Sequence, residues 1–370
     1  MWPLRDQLLS FRDRVLSDPR FQRFATTSRV MSPIARRQAR SLFDLCAGFV
    51  YSQVLLACVE LDLFRILEAG PLDAEALSAE LDLTPEATSR LLTAALALGL
   101  VDRRGGGRYG LGMHGAALVA NKGIQAMVAH HRALYRDLAD PVALLRGEDQ
   151  GGALAGYWPY AKGDTPGALG EADVASYTQL MSASQTLVAE QVLHAYSLAG
   201  HDTLLDVGGG DGTFLCAAAR RNPGLRLQLF DLPAVARRAE TRFEQEGLAI
   251  RAQTFGGSFF DDPLPNGADV VSLVRVLHDH DDDRAQHLLR AVRNVLPRGG
   301  VLLIAEPLAG TAGAERMGGA YFGFYLMAMG SGRPREFADV AAMLSKAGFA
   351  AQRLVRTAVP LQTSLIVATA

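Results

Sequence analysis

The residues of this chain best placed to do chemistry are a glycine-dense turn, the acids that close apolar runs, and one histidine. Leu204-Leu205-Asp206-Val207-Gly208-Gly209-Gly210-Asp211-Gly212-Thr213-Phe214 is a short apolar run ending in Asp206, with four glycines in the next six positions. A helical segment, Phe214 to Arg221, follows. Strand, glycine turn and helix together set backbone N–H groups and a helix N-terminus against a ligand. Glycines at 208, 210 and 212 give GxGxG spacing rather than the GxGxxG of dinucleotide sites. Asp231 closes the next apolar run, in Leu229-Phe230-Asp231-Leu232, and could take both hydroxyls of a ribose. Further on stands Arg275-Val276-Leu277-His278-Asp279-His280. A histidine leaving a strand end toward the ligand edge suits a general base, because its ordinary pKa is ~6.5. Asp279 is expected to point elsewhere, capping or orienting. Asp281–Asp283 read as the solvated start of a helix ending near Val295, since acids favour helix N-termini.

These residues need a sheet to hold them. From residue 203 onward apolar runs alternate with helical patterns, which predicts a parallel α/β sheet. Strands are expected at 203–207, 226–230, 249–254, 268–274, 300–306, 350–357 and 363–368. Ligand chemistry in such sheets collects at strand carboxyl ends, where Asp206, Asp231, Ser258, Arg275 to Asp279, and Glu306 stand. A helix from Asp173 to Leu198 leads into the glycine strand and carries Tyr177, Met181 and Ser184.

Four regions are expected: a basic arm at 1–40, a helical unit at 41–115, connecting helices and an aromatic loop at 116–185, and the α/β region at 186–370. The arm holds nine arginines against three aspartates. Leu4, Leu8, Phe11 and Val15 recur along it at helical spacing. Such a helix either packs on its own domain or lies on an anionic membrane surface. In the second region Asp73 caps a helix over Ala74–Glu80, and Thr84-Pro85 starts another that stops at Gly99. Two short strands around Gly105-Gly106-Gly107 complete a winged-helix pattern. Between Asp73 and Leu100 lie five acids and one base, Arg90. A DNA-reading helix would be repelled by phosphates, so this unit is expected to serve dimerisation or packing. His130 and His131, as neighbours, are not expected to face one side of a helix, and no metal site is expected.

Bulk composition agrees. The 370 residues suggest about two domains. With 49% hydrophobic and 21% charged residues and a net charge of −2, the chain reads as globular, and its near-neutral balance argues against nucleic acid as a partner. Cys46, Cys58 and Cys216 form no CxxC pair and suit a reducing, cytoplasmic setting. No uninterrupted apolar run reaches the ~20 residues of a membrane span.

The stretches Asp206-Val207-Gly208-Gly209-Gly210-Asp211-Gly212, Phe230-Asp231-Leu232-Pro233, Gly257-Ser258-Phe259-Phe260, Leu277-His278-Asp279 and Ala305-Glu306 resemble the plant-type small-molecule O-methyltransferases of class I. The resemblance covers about residues 41–370. It implies an α/β fold, with a Rossmann-like methyltransferase domain preceded by a mostly helical winged-helix dimerisation domain. It implies S-adenosylmethionine (SAM) as cofactor, no metal, a homodimer and a small-molecule substrate. By this similarity His278 stands at the catalytic base, with Glu306 flanking it and Asp279 beside it. Asp231 stands at the ribose-binding acid and Ser258-Phe259 at the adenine-contacting pair. Asp206, Gly208, Gly210, Leu232 and Arg275 complete the expected cofactor contacts. Tyr177, Met181, Tyr321, Phe324 and Tyr325 are the expected substrate contacts.

Pro33-Ile34-Ala35-Arg36-Arg37, the run Leu42 to Gln53, and His278-Asp279-His280 resemble the carotenoid methyltransferases of purple bacteria, which act on hydroxyneurosporene and demethylspheroidene. That group implies methylation of the tertiary 1-hydroxyl of an acyclic carotenoid; where the basic arm lies on a membrane, residues 1–36 would make a peripheral contact with the inner membrane. Three departures from the plant pattern bear on substrate. His280 stands where plant members usually have Trp, Gly323 where an active-site Asp is common, and Pro334 where a second flanking Glu is expected. Loss of two acids beside an aromatic, Met-rich helix predicts an apolar pocket suited to a long hydrocarbon. The alternatives are a phenolic or polyketide O-methyltransferase and, from another class, a winged-helix ligand-sensing regulator. An NAD-dependent oxidoreductase is disfavoured by the GxGxG spacing.

Overall fold

The computed structural model describes residues 2–148, 152–157 and 171–370, with the backbone alone at 2, 3, 157, 171–180 and 183. Of the aromatic loop expected around Tyr157–Tyr160, residues 158–160 lie outside the described residues. The chain divides into two compact units, Met1–Ala120 and Asn121–Ala370.

The first unit is helical with one small hairpin. Its helices are α1 (Trp2–Ser17), α2 (Pro19–Thr27), α3 (Ser32–Glu60), α4 (Leu63–Glu68), α5 (Ala74–Glu80), α6 (Pro85–Ala97) and α7 (Met113–Val119). Asp73 accepts a hydrogen bond from the Ala76 amide and Thr84 one from Ala87, so both expected caps start their helices. β1 (Val101–Arg103) pairs antiparallel with β2 (Tyr109–Leu111) to form the wing. Leu63, Phe64, Leu67, Leu77, Leu92 and Val101 form this unit's core.

α3 differs from the expectation in two ways. It runs without a break across residue 40, where the basic arm was expected to end. It is also, by length and composition, long and apolar enough to cross a membrane, with a mean hydropathy of 1.8 over its most apolar window. Ser41, Asp44, Ser52 and Gln53 interrupt the run as a string of letters without making it polar on average. Only 11% of that window is buried, and Leu42, Phe43, Leu45 and Phe49 are exposed. Leu4, Leu8 and Phe11 of the arm stripe are exposed as well, so they do not pack on their own unit.

The second unit begins with α8 (Lys122–Asp137), α9 (Pro141–Leu145), α10 (Ala153–Tyr157) and α11 (Glu171–Ala195), the last continuous across residue 185. A seven-stranded sheet follows, built from β3 (Thr203–Val207), β4 (Arg226–Asp231), β5 (Ala252–Gly256), β6 (Val270–Val274), β7 (Val301–Glu306), β8 (Ala351–Val355) and β9 (Ser364–Thr369). Its order is β5-β4-β3-β6-β7-β9-β8, parallel except for the pairings of β9 with β7 and β8. All seven expected strands are present. β5 starts three residues later than expected because Leu248 to Arg251 is a turn that leaves Ile250 fully exposed.

Side chains alternate across the sheet, as a period of two dictates. Leu204, Val270 and Leu303 face α11, α12 (Thr213–Arg221) and α13 (Pro233–Gln245). Leu205, Val271 and Leu302 face α14 (Asp282–Val295) and α16 (Phe337–Ala347). Burial on both faces explains why these strands read as continuous apolar runs. β3 is followed outward by β4 and β5, and the chain then returns to place β6 on the other side of β3. A crevice opens where strand order reverses, and ligands settle there.

Leu42, Phe43, Leu45 and Phe49 of α3 expose neighbouring apolar side chains, the kind of surface that marks an association site. Purified protein at micromolar concentration is expected to sediment as a dimer. A monomeric species at that concentration would contradict the expectation.

Candidate active site

The crevice between β3 and β6 is walled by the turns that leave both strands. Gly208 has φ +70°, and a Cβ there would stand 2.8 Å from Val276 Cγ2. Only a glycine lets the backbone pass so near the turn that leaves β6. Asp231 ends β4 with its carboxylate held by two backbone donors, Gly210 N–H to Oδ2 at 2.8 Å and Leu232 N–H to Oδ1 at 2.7 Å. These two bonds fix the Asp231 carboxylate in the wall of the crevice.

One cavity is lined by Gly208, Gly209, Gly210, Asp231, Phe259, Arg275 and His280, among others. Three expected cofactor contacts do not line it. Asp206 is fully buried under the glycine turn, with Oδ1 accepting from Ser272 Oγ at 2.6 Å. Burial raises its carboxyl pKa to about 7, against the lowering effect of the Ser272 bond. Leu232 and Ser258 each adjoin a lining residue in sequence but stay out of the wall. Leu232 packs on Ala234 and Val235, and Ser258 Oγ accepts from the Phe260 amide. His280 was read only as a departure from a pattern. It is in fact part of this cavity, edge-on to Phe259 at 5.5 Å and to Phe260 at 5.1 Å.

A second cavity, ≈ 270 Å³, is lined by Ile124, Met127 and His131 of α8, Met181 and Ser184 of α11, His278 and Asp279, and Met317, Tyr321, Phe322, Tyr325 and Met329. Its far wall is a π-helix, Arg316–Tyr321, running into α15 (Phe322–Met329). Tyr321, Tyr325 and Met329 recur at every fourth position and share the cavity face. Phe324 falls on the flank of that helix and packs against the cluster of Leu134, Leu144 and Leu154, so it is not a lining residue. Gly323 does not line the cavity either. The side chain of Tyr177 lies outside the described residues. His131 was missed as a site residue. Its Nε2 shares a 2.7 Å hydrogen bond with the Tyr321 hydroxyl, while His130 Nε2 meets the Tyr325 hydroxyl at 3.0 Å. The adjacent histidines therefore reach the same neighbouring helix, contrary to expectation, because their partners stand one turn apart. Burial lowers the pKa of both imidazoles, with the His131 charge adding to the effect on His130.

Met181, Arg275 and Asp279 belong to the walls of both cavities. Arg275 has φ +60°, a left-handed conformation that a non-glycine residue adopts only when its surroundings enforce it. Its guanidinium donates to Ser184 Oγ at 2.7 Å and to Met181 Sδ at 3.3 Å.

His278 stands beside this shared wall on a single 3₁₀ turn, Leu277–Asp279. Its amide donates to Glu306 Oε1 at 3.1 Å. Its Nε2 lies 3.0 Å from Asp279 Oδ1, and its Nδ1 lies 3.6 Å from Glu306 Oε2. Asp279 thus points at the imidazole and not away from it, because the tight turn folds the two side chains together. Burial opposes a charge on the ring, but the Asp279 and Glu306 carboxylates outweigh it. They hold the imidazole well above the ordinary histidine range. The two carboxylates thus favour the charged ring more than the unperturbed histidine value suggests.

The chain matches two family models, the O-methyltransferase domain over residues 135–350 and the O-methyltransferase dimerisation domain over residues 43–121. It is 47% identical over 336 residues to demethylspheroidene O-methyltransferase of Cereibacter sphaeroides, covering 91% of this chain and 88% of that protein. It is 42% identical over 365 residues to the enzyme of the same name from Rhodobacter capsulatus, covering 98% and 90%. Human N-acetylserotonin methyltransferase, solved in complex with SAM, shares the fold with a TM-score of 0.75 at 27% identity, covering 90% of this chain and 97% of that one. With a helical dimerisation domain ahead of a mostly parallel seven-stranded α/β domain, this chain belongs to the plant-type O-methyltransferase family and is a SAM-dependent O-methyltransferase.

Proposed function

We propose that this enzyme methylates a tertiary hydroxyl at the end of an acyclic carotenoid, and that His278 is its proton acceptor. The observation that carries the reading is the pair of cavities sharing Met181, Arg275 and Asp279. One has a bare glycine turn and a ribose-competent acid, and the other is walled by aromatics and methionines. Gly208, Gly210, Asp231, Phe259, Arg275 and His280 fit a nucleoside cofactor. When bound, SAM supplies a sulfonium methyl group that is already activated for transfer. The protein's task is to align the acceptor oxygen and dispose of its proton.

The second cavity is smaller than the ~300–1,000 Å³ that encloses a drug-sized ligand. It seats the hydroxylated end of a longer molecule. The relatives named above supply the substrate class, a demethylspheroidene-type alcohol. An aliphatic alcohol is far too weak an acid to be ionised beforehand by imidazole, so its proton leaves with, or after, C–O bond formation. Neutral His278 takes it, and the imidazolium then lies between the Asp279 and Glu306 carboxylates, which favour the charged ring. The dimerisation domain makes the enzyme a homodimer. The arginine-rich arm with its exposed Leu4, Leu8 and Phe11 docks the protein on the cytoplasmic face of the inner membrane, into which a long hydrocarbon partitions.

Labelled SAM offered with a 1-hydroxy acyclic carotenoid in anionic vesicles should give a labelled ether, whereas a simple phenol should not. Removal of residues 1–36 should slow that reaction without changing SAM binding. Label appearing in the phenol alone would overturn the substrate class, and equal rates with and without residues 1–36 would remove the membrane role. Asp231→Ala should weaken SAM binding by about 2–3 kcal/mol, the worth of hydrogen bonds to a charged group. Calorimetry showing unchanged affinity in a folded variant would take Asp231 out of the site.

His278→Ala should keep the fold and lower kcat by ~10²–10⁴-fold, the usual worth of a positioned base. In the unaltered enzyme kcat should rise with pH above neutrality, because the raised imidazole pKa keeps the base protonated at lower pH. Glu306→Gln removes one of the carboxylates raising that pKa. The rising limb should therefore move to lower pH while the plateau falls. A flat profile above neutrality, or a loss below about tenfold for His278→Ala, would demote the histidine to an orienting role.

A further inference from the structure

We infer that Arg335 is a positioning residue for proton transfer, and that it acts by clamping the backbone of the turn that carries His278. The inference rests on the reading of His278 as the proton acceptor.

The turn cannot hold itself. Its internal hydrogen bonds, Asp279 N–H to Val276 O and His280 N–H to Leu277 O, are both 3.3 Å long, and a single 3₁₀ turn has poor hydrogen-bond geometry. The segment Ser331 to Arg335, which joins α15 to α16, supplies what is missing. Arg335 Nη1 donates to Leu277 O at 2.9 Å, and Nη2 donates to His280 O at 2.7 Å. The Arg333 amide donates to His278 O at 3.0 Å, and Ser331 Oγ donates to Asp279 O at 2.7 Å. All four consecutive carbonyls of Leu277 to His280 thus receive a donor from one short stretch. Gly332, with φ +82°, lets the strands of chain close up, since a Cβ there would overlap the His278 carbonyl oxygen.

Arg335 is only 2% exposed and is the bulkiest of the fully buried side chains among the described residues. A guanidinium so placed is costly without a counter-charge, and Asp282 Oδ1 provides one, at 3.0 Å from Nε and 2.8 Å from Nη2. Asp282 opens α14, so the turn is fixed to that helix as well. The rigid fork of Arg reaches two carbonyls and a carboxylate at once, which the single ammonium of Lys cannot do. Arg335 lines neither cavity. Its removal deletes no contact to cofactor or acceptor, so any catalytic effect must pass through the turn. The side chains at stake are His278 and Asp279, whose 3.0 Å contact depends on that backbone.

The test is a double-variant cycle on the full-length enzyme with the labelled-methyl assay at saturating SAM. Arg335→Lys and Arg335→Met should lower kcat by about 10–100-fold, the scale of an ångström-sized misplacement at a reacting centre, with the acceptor KM within about threefold. In the His278→Ala background the same substitutions should change kcat by less than about threefold, because residues acting as a unit are not additive. Equal losses in both backgrounds, at matched folded fraction, would mean that Arg335 only supports the fold, and would overturn the inference. So would an unchanged kcat. If neither Arg335 variant folds, Ser331→Ala carries the same cycle with a smaller expected loss, and equal losses in both backgrounds overturn the inference in the same way. A His278→Ala loss below about tenfold strikes the proton-acceptor reading itself and takes this inference with it. Additive losses beside a crippled His278→Ala strike Arg335 alone.

Discussion

Three parallel pairings between β3 and β6 govern the rest of this molecule: Leu204 with Val270, Leu205 with Val271, and Asp206 with Ser272. They bring together two turns that lie some seventy residues apart in sequence. One exposes bare backbone at Gly208, and the other carries Arg275, His278 and Asp279. The Asp206 to Ser272 hydrogen bond sits at the top of the seam with no solvent access. One oxygen of this deeply buried carboxyl is bonded, and burial raises its pKa because the charged form is disfavoured there. Asp206 is thus part of the foundation of the site and not of its surface.

Above the seam, charge is managed by burying opposite signs together. His278 is flanked by Asp279 and Glu306, and the turn beneath them is tied to Arg335, itself neutralised by Asp282. On the proposed reading of His278 as proton acceptor, these carboxylates make the imidazole a stronger base than free histidine. This suits an acceptor hydroxyl that becomes acidic only as it gains a methyl group. A base waiting between two carboxylates gains charge stabilisation as the proton arrives and needs no rearrangement of water.

The second cavity is apolar for a reason that concerns helix geometry more than composition. Residues 316–321 follow π geometry before α15 begins, and Tyr321, Tyr325 and Met329 then share one face while Phe324 turns to the core. The hydroxyls of both tyrosines are occupied by His130 and His131. What faces the cavity is largely ring carbon and thioether. The apolar side chains left exposed on α1 and α3 line neither cavity.

Much was legible in the letters. The alternation of apolar runs with helical patterns specified the sheet, since strands buried on both faces need no polar positions. Asp73 and Thr84 specified helix starts through their own side chains. The glycine turn, Asp231 and His278 followed from residue type and position at strand ends, because local chain geometry dictates where those groups can point. Other features depended on partners distant in sequence. Whether Asp279 faced His278, whether Asp206 reached the crevice, and which ring on the 321–329 helix met the cavity were settled only when remote elements packed. The clamp of Arg335 on Leu277 and His280, 58 and 55 residues away, had no local signal at all. The sequence by itself determined the elements and the chemistry available at their ends, because propensity, capping and periodicity act over a few residues. Only the tertiary structure decided the proton affinity of His278 and the membership of each cavity wall, because electrostatics and burial are set by what lies nearby in space.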